Sequence, residues 1–151
     1  MNIIAIDPGG TTGIAQFDPE LDVFPHAGEF KSLGTLYSWL EVWSHIPTYY
    51  VVENFVPRPG VRTWVPDSLY AIGYIEGRMA RWNPQSKFVL QSPTQAKSWG
   101  TDEKLKKLGA GWWVPGLGHA RDALRHMLVF LCTNPQGREN GGEALLRSLV
   151  S

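Results

Sequence analysis

The chain begins with a short apolar run that ends abruptly in a carboxylate. Ile3–Ile6 is apolar and largely β-branched, and the turn sequence Asp7-Pro8-Gly9-Gly10 follows at once. A continuous apolar run of this length, stopped by turn residues, is typical of a strand buried on both faces. Such a strand needs neighbours on both sides and helices above and below it. The feature therefore favours an α/β domain.

The remaining pattern alternates strand-like and helix-like segments. Residues 12–17 predict a second strand that forms a hairpin with the first, and residues 24–30 predict an edge strand, where Pro25 is tolerated. Further strands are predicted at 49–53 and 87–90. Helices are predicted at 33–46, 67–82, 93–108 (in pieces), 120–132 and 143–149. We therefore expect a mixed five-stranded sheet flanked by helices.

Length and composition limit the class of protein. With 151 residues, we expect one domain over residues 1–133 and a C-terminal tail over 134–151 that carries a short helix. The single cysteine, Cys132, lies in an apolar run, so we expect its thiol to be buried. Neither a signal peptide nor a membrane-spanning run is evident, so the expected location is intracellular and cytoplasmic, without a membrane partner.

Three acidic residues stand out because of the apolar segments that surround them. Asp7 and Glu53 each end a predicted buried strand, and Asp122 lies inside an apolar helix. Taken singly, they could be a turn residue, a charge at the rim and a solvated helix residue. Together they indicate a hard-cation site, because clustered carboxylates repel one another unless a divalent ion neutralises them.

Two histidines share the helix of Asp122. His119 precedes Asp122 by three residues, so both lie on one helix face near its N-terminus. We therefore include His119 among the candidate metal ligands. His126 follows Asp122 by four residues, and we interpret it as a packed or solvated residue, which is the commoner role of a helix histidine.

Several motifs are similar to those of one nuclease family. Ile4-Ala5-Ile6-Asp7-Pro8-Gly9, with Gly13 following, resembles the first-strand motif of the RuvC-type Holliday-junction resolvases. The further motifs that resemble this family, in the family's order, are Val51-Val52-Glu53, a helix marked by Ser68-Leu69, Gly73 and Gly77, the Pro93-x-x-x-Lys97 segment, and His119-Ala120-Arg121-Asp122. The resemblance spans residues 3–132, and its motifs are specific in combination rather than singly.

The resemblance implies a ribonuclease H-like fold and a two-metal phosphodiesterase. Asp7 would bridge two Mg²⁺ ions, Glu53 and Asp122 would each hold one side, and His119 would complete the set, with Mn²⁺ able to substitute. The implied enzyme is a crossover junction endodeoxyribonuclease that acts as a homodimer on four-way junctions or other branched DNA.

The residues that would contact DNA are harder to identify from the sequence than the candidate metal ligands. The chain has 14 basic and 14 acidic residues, whereas nucleic-acid-binding domains are commonly basic; an acidic metal centre would lower the total. Basic residues nevertheless follow Glu53 and surround the Pro-x-x-x-Lys segment. The candidate DNA contacts are Arg58, Arg62, Lys97 and Lys104, with Phe55 as a stacking residue and Trp64, Trp112 and Trp113 as alternatives to it.

Two other functions remain open at this point. The segment from Asp7 to Gly13 also resembles the first phosphate loop of sugar kinases and actin-like ATPases, but those proteins are much longer and carry a second phosphate loop. A non-catalytic scaffold with this fold, which only binds DNA or protein, is the other alternative. Divalent metal separates the alternatives, because the nuclease should bind it at the acidic cluster.

Overall fold

A five-stranded mixed sheet forms the centre of the computed structural model, which describes residues 1–57, 59–60 and 66–151. The strand order is β3-β2-β1-β4-β5. β1 pairs antiparallel with β2 and parallel with β4, and β5 adds to β4 in parallel. The strands are β1 (Asn2–Asp7), β2 (Thr12–Phe17), β3 (His26–Phe30), β4 (Thr48–Glu53) and β5 (Lys87–Gln91).

Helices cover both faces of this sheet. Three lie between β3 and β5, and the others follow β5. They are α1 (Leu33–Val42), α2 (Pro66–Tyr74), a π-helical turn (Ile75–Met79) that runs into α3 (Ala80–Trp82), α4 (Pro93–Trp99), α5 (Asp102–Leu108), α6 (Gly118–Thr133), α7 (Pro135–Gly137), an irregular turn (Arg138–Gly142) and α8 (Glu143–Val150).

Strand alternation divides the core into two layers. On β1, Ile3 and Ala5 pack against α6, whereas Ile4 and Ile6 pack against α1 and α2. β4 alternates in the same way, with Val51 on the α6 side. Because successive side chains point to opposite faces, odd-numbered residues of β1 and β4 share the α6 face.

The predicted element order and the mixed five-stranded sheet are confirmed. Some details were wrong. The edge strand begins at His26, which leaves Pro25 outside it, and α1 ends at Val42 rather than at residue 46. The helix predicted from residue 67 begins at Pro66 and carries Asp67 in its first turn. Leu69 in this helix is 40% exposed, so it lies away from the core.

The C-terminal segment packs against α6. Gly142 approaches so closely that an added Cβ would lie 1.7 Å from the Leu131 carbonyl oxygen. Leu145 and Leu149 of α8 pack against the α6-side core, which also buries the Cys132 thiol, as predicted. In the described part of the chain, no helix combines the length and the apolar character needed to cross a membrane.

Candidate active site

The carboxyl ends of the three parallel strands bring polar side chains to one edge of the sheet. Asp7 and Glu53 follow the paired residues Ile6 and Val52 of β1 and β4, and Glu53 pairs directly with Gln91 of β5. All three polar residues have odd numbers in strands whose odd-numbered residues face α6. They therefore line up beneath the N-terminal half of that helix.

α6 is held against this edge at its first turn. The Glu29 carboxylate of β3 accepts hydrogen bonds from the backbone N–H groups of His119 (3.0 Å) and Ala120 (3.4 Å). These N–H groups have no partner within the helix, so Glu29 acts as a cap supplied from another element. Gly13 of β2 permits the approach, because an added Cβ would lie 1.9 Å from the His119 carbonyl oxygen.

The close packing places His119 beside Asp7. His119 Nδ1 lies 3.0 Å from Asp7 Oδ2. The Asp7 side chain is 11% exposed and the imidazole is 51% exposed, so the pair connects a buried carboxylate with the surface. Two of the four predicted ligands are therefore in direct contact.

The other two acids also influence the pKa of Asp7. The pKa of Asp7 is raised from 3.8 to about 6, chiefly by burial and also by the negative charges of Glu53 and Asp122, against the lowering effect of the hydrogen bond from His119. Like charges make ionisation of a buried carboxyl costly. The direction of the pKa shift is the one expected for a buried carboxyl with other carboxylates nearby.

Glu53 is held by His126, the second histidine of α6. His126 Nε2 lies 2.7 Å from Glu53 Oε2, and the imidazole is 1% exposed. Gln91 contacts the other ring nitrogen, Nδ1, at 2.9 Å. Of the two roles expected for His126, packed or solvated, the structure shows the packed one, and its position also links it to the acidic cluster.

Asp122 has a cationic partner. Arg125 donates through Nη1 to Asp122 and through Nη2 to Asp102 of α5. The guanidinium side chain is 16% exposed, so this bridge lies partly out of solvent. Arg125 thus neutralises Asp122, the acidic member of the predicted ligand set that lies on α6.

These donors fit a hard divalent cation by their chemistry. Asp7, Glu53 and Asp122 offer carboxylate oxygens and His119 offers an imidazole nitrogen, which suit Mg²⁺ or Mn²⁺. Over residues 1–57, 59–60 and 66–151, no three such side chains are already grouped at ligating distances. In this arrangement His126 contacts one oxygen of Glu53, and Arg125 donates to Asp122.

Two adjoining clefts open at this edge. The first, of about 310 Å³, is lined by Glu53, Phe55 and Lys97 together with Ser68, whose hydroxyl donates to the Pro8 carbonyl oxygen at 2.7 Å. The second contains Lys97 again and the acidic side of α6 with His119, Asp122 and Arg125. Lys97 therefore lies between the two clefts.

The other predicted DNA contacts have different positions. Lys104 donates to the Trp99 carbonyl oxygen at 2.7 Å and lies 3.8 Å from the centre of its ring, which restricts its reach. Trp112 is 3% exposed and packs against Phe17, so it is a core residue and is not accessible to a base. The Trp113 ring has two cationic neighbours, with Lys106 Nζ 4.5 Å and Arg121 Cζ 5.0 Å from its centre. Arg58, Arg62 and Trp64 lie outside the described residues.

Sequence reasoning missed four residues near the cluster. Glu29 and Arg125 had no distinguishing signal, because their partners lie in other elements or depend on the side-chain conformation. His126 carried a signal, namely its position one turn beyond Asp122. Gln91 carried another, since it is a polar residue at the end of a strand.

Comparisons with known proteins bear on the fold. No family model and no curated protein matches the sequence. A structure of Thermus thermophilus RuvC in complex with a Holliday junction substrate aligns with 83% of this chain and 88% of its own, at 18% identity and a TM-score of 0.60. Another T. thermophilus RuvC structure aligns with 83% and 90%, at 19% identity and a TM-score of 0.58. The chain therefore has the ribonuclease H-like fold of the RuvC structures.

Proposed function

We propose that the chain is a divalent-metal-dependent endonuclease that cleaves branched DNA, with four-way Holliday junctions as its substrate class. One observation carries this proposal. Asp7 and Glu53 end the neighbouring parallel strands β1 and β4, and Asp7 is in contact with His119 of α6, the helix that also carries Asp122. Ligands of open α/β sheets commonly bind at this edge.

The structural likeness supports the choice of substrate. One similar RuvC structure is described as a complex with a Holliday junction substrate. The motifs around Asp7, Glu53, Lys97 and His119 that resemble the resolvases all lie at or beside the two clefts. The proposed nuclease unit spans residues 1–133, and residues 134–151 form a C-terminal addition to it.

The proposed cofactor is a pair of Mg²⁺ ions, which Mn²⁺ can replace. Paired ions supply activation of water and stabilisation of the leaving oxygen when they are bound. Asp7 is the proposed shared ligand, because it lies among the other carboxylates and its burial keeps its oxygens from bulk water. Glu53, Asp122 and His119 are the proposed outer ligands, so Asp122 must exchange Arg125 for the metal.

DNA contacts are proposed on both sides of this centre. Lys97 is the strongest candidate for a phosphate contact because it lines both clefts. Phe55 lines the first cleft beside Glu53 and is the proposed stacking residue. Lys104 is proposed as a weaker contact, and Arg58 and Arg62 are proposed from the sequence alone.

We further propose a twofold homodimer. Two symmetric cuts in a four-way junction require two active sites, and closed twofold symmetry is the commonest oligomeric arrangement. The exposed side chains of Leu69 (40%) and Tyr70 (63%) on α2 make this helix the candidate interface. Light scattering with and without junction DNA tests the dimer, which a strictly monomeric mass under both conditions would contradict.

The activity test uses a synthetic four-way junction and a linear duplex of matched sequence. With Mg²⁺ or Mn²⁺, the protein should cut the junction and spare the duplex. Asp7→Asn, Glu53→Gln and Asp122→Asn should each lower the rate at least ~100-fold, since metal ligation supplies several kcal/mol of transition-state stabilisation. All three variants should still bind the junction.

A matched control keeps the test specific. Glu139→Gln changes an exposed carboxylate in the C-terminal segment and should cut like the wild type. Junction binding without cleavage at any metal concentration would instead support the non-catalytic scaffold. Cleavage by all three active-site variants at near wild-type rates would remove the assignment of the site.

A further inference from the structure

A buried hydrogen-bonded chain runs from β5 through α6 to Glu53. Gln91 is 8% exposed and the His126 imidazole is 1% exposed, and they are joined at 2.9 Å. The series of hydrogen bonds ends at Glu53 Oε2, which lies 2.7 Å from His126 Nε2. It therefore joins two adjacent parallel strands to the helix that carries His119 and Asp122.

The orientation of the Gln91 amide follows from its neighbours. Its nitrogen donates to His126 Nδ1 (2.9 Å) and to the His126 carbonyl oxygen (3.1 Å), and its oxygen accepts from the Phe130 N–H (3.3 Å). The opposite orientation would place its oxygen against acceptors and its nitrogen against a donor. Gln91 therefore acts as a fixed donor toward the imidazole.

This donor settles which ring nitrogen of His126 carries the hydrogen. Nδ1 accepts from Gln91, so the hydrogen of the neutral ring lies on Nε2. Nε2 then donates to Glu53 Oε2. Each polar atom of the buried ring has a partner, and the direction of every bond in the chain is defined.

The hydrogen bonds from Gln91 through His126 reach only one oxygen of Glu53. Oε2 accepts from His126, whereas Oε1 has no hydrogen-bond partner among the residues that the structure describes. The Glu53 side chain is 22% exposed and lines the first cleft. A carboxylate fixed through one oxygen at its buried side has its rotation restricted, and its second oxygen stays available to a ligand.

We infer that His126 and Gln91 form a positioning pair that holds the Glu53 carboxylate in place to bind a divalent cation beside Asp7. The inference rests on the proposed function, since it concerns the same site. Neither residue ligates the cation. Outer residues that orient metal ligands commonly change metal affinity 10–100-fold when they are replaced.

The test measures Mn²⁺ binding to the metal-free protein without DNA, by calorimetry and by electron paramagnetic resonance. His126→Leu replaces the imidazole with an apolar side chain that fills much of the same buried space, so both hydrogen bonds are lost, and it should weaken binding ~10-fold or more. His126→Gln retains an N–H donor near Glu53 and should recover most of the affinity. If His126→Leu does not fold, Gln91→Leu is measured in its place and should show the same loss of Mn²⁺ affinity.

Stability must be separated from positioning. Leu128→Ala changes a fully buried residue of the same helix whose side chain takes no part in the hydrogen bonds of this chain. It should lower the thermal midpoint and leave Mn²⁺ affinity unchanged. If Leu128→Ala and His126→Leu weaken Mn²⁺ binding equally at similar thermal midpoints, the network is merely structural and the inference fails.

A double-mutant cycle with Glu53→Gln identifies the path of the effect. If His126 acts through Glu53, His126→Leu should cause little further loss of affinity in the Glu53→Gln background. A full further loss there, or wild-type affinity in the His126→Leu single variant, overturns the inference alone. Absence of Mn²⁺ binding by the wild type, together with absence of junction cleavage, overturns the proposed function and the inference with it.

Discussion

His119 Nδ1 lies 3.0 Å from Asp7 Oδ2, although 112 residues separate the two in the chain. The contact joins the end of β1 to the first turn of α6, and it forms because Gly13 and Glu29 fix that turn against the sheet. The candidate site therefore depends on how closely one helix terminus approaches one strand.

The stability of the metal-free protein should fall as Asp7 ionises. The pKa of Asp7 in the folded chain is about 6 against an ordinary value of 3.8. A raised pKa means that its stabilising contribution is complete below pH ~4 and is lost as the pH rises through about 6. The difference bounds the loss at about 3 kcal/mol, at 1.36 kcal/mol per pKa unit.

Chemical denaturation between pH 4 and 7.5 measures this contribution. The unfolding free energy of the wild type should decline relative to that of Asp7→Asn over this range and level off above pH 7. Saturating Mg²⁺ should cancel the decline, because a bound cation favours the ionised carboxylate. A constant difference between the two proteins across the range would contradict the prediction.

Gly13→Ala should be strongly destabilising. The added Cβ would lie 1.9 Å from the His119 carbonyl oxygen, which must move by more than an ångström. Overpacking against backbone should cost about 2 kcal/mol or more. Gly28→Ala on neighbouring β3 is the matched control, because its Cβ would have no neighbour within 4 Å. Equal unfolding midpoints for the two variants would exclude the close approach.

Arg125→Met should destabilise the metal-free protein and increase its response to metal. Arg125 donates to both Asp122 and Asp102, and charged hydrogen bonds of this kind contribute ~1.5–3 kcal/mol each when a partner is removed. Without the guanidinium, Mg²⁺ should stabilise the variant more than the wild type, since two carboxylates then lack a cation.

Thermal unfolding with and without Mg²⁺ provides the comparison for Arg125→Met. Arg147→Met, which removes an exposed arginine of α8, is its control and should behave like the wild type. A smaller Mg²⁺-induced rise in the midpoint for Arg125→Met would show that Arg125 assists metal binding instead of standing in for the cation.

Lys97→Ala should weaken binding to every DNA shape by a similar factor. Lys97 lines both clefts, and a phosphate contact contributes without regard to base or shape. The logarithm of affinity should fall linearly with the logarithm of salt, with a slope that becomes shallower by ~0.9 in the variant. Anisotropy titrations at several salt concentrations measure it, and an unchanged slope would remove Lys97 from the phosphate contacts.

Phe55→Ala should instead reduce the preference for a junction over linear duplex. Stacking on an opened base is worth ~1–3 kcal/mol and depends little on salt. The ratio of the two affinities should fall while the salt slope stays constant. Equal losses on both DNAs, or no loss on either, would assign Phe55 to packing at the rim of the first cleft.

The sequence determined the sheet and the chemistry of the candidate site. Ile3–Ile6 and residues 49–53 predicted adjacent buried strands, because local apolar patterns reflect burial on two faces, and the acid that ends each strand was visible in the same pattern. The spacing of His119 and Asp122 placed both on one helix face, since helical periodicity is a local property.

Only the tertiary structure decided the partners of those side chains. Glu29 caps α6, His126 binds Glu53 and Arg125 links Asp122 to Asp102. Of these pairings, only that of Arg125 with Asp122, three residues apart on one helix, follows in part from spacing along the chain. Register between β4 and β5 set Gln91 beside Glu53. A hydrogen bond requires positions correct to a few tenths of an ångström. Packing between elements sets that precision, whereas a sequence pattern records only which face of an element is buried.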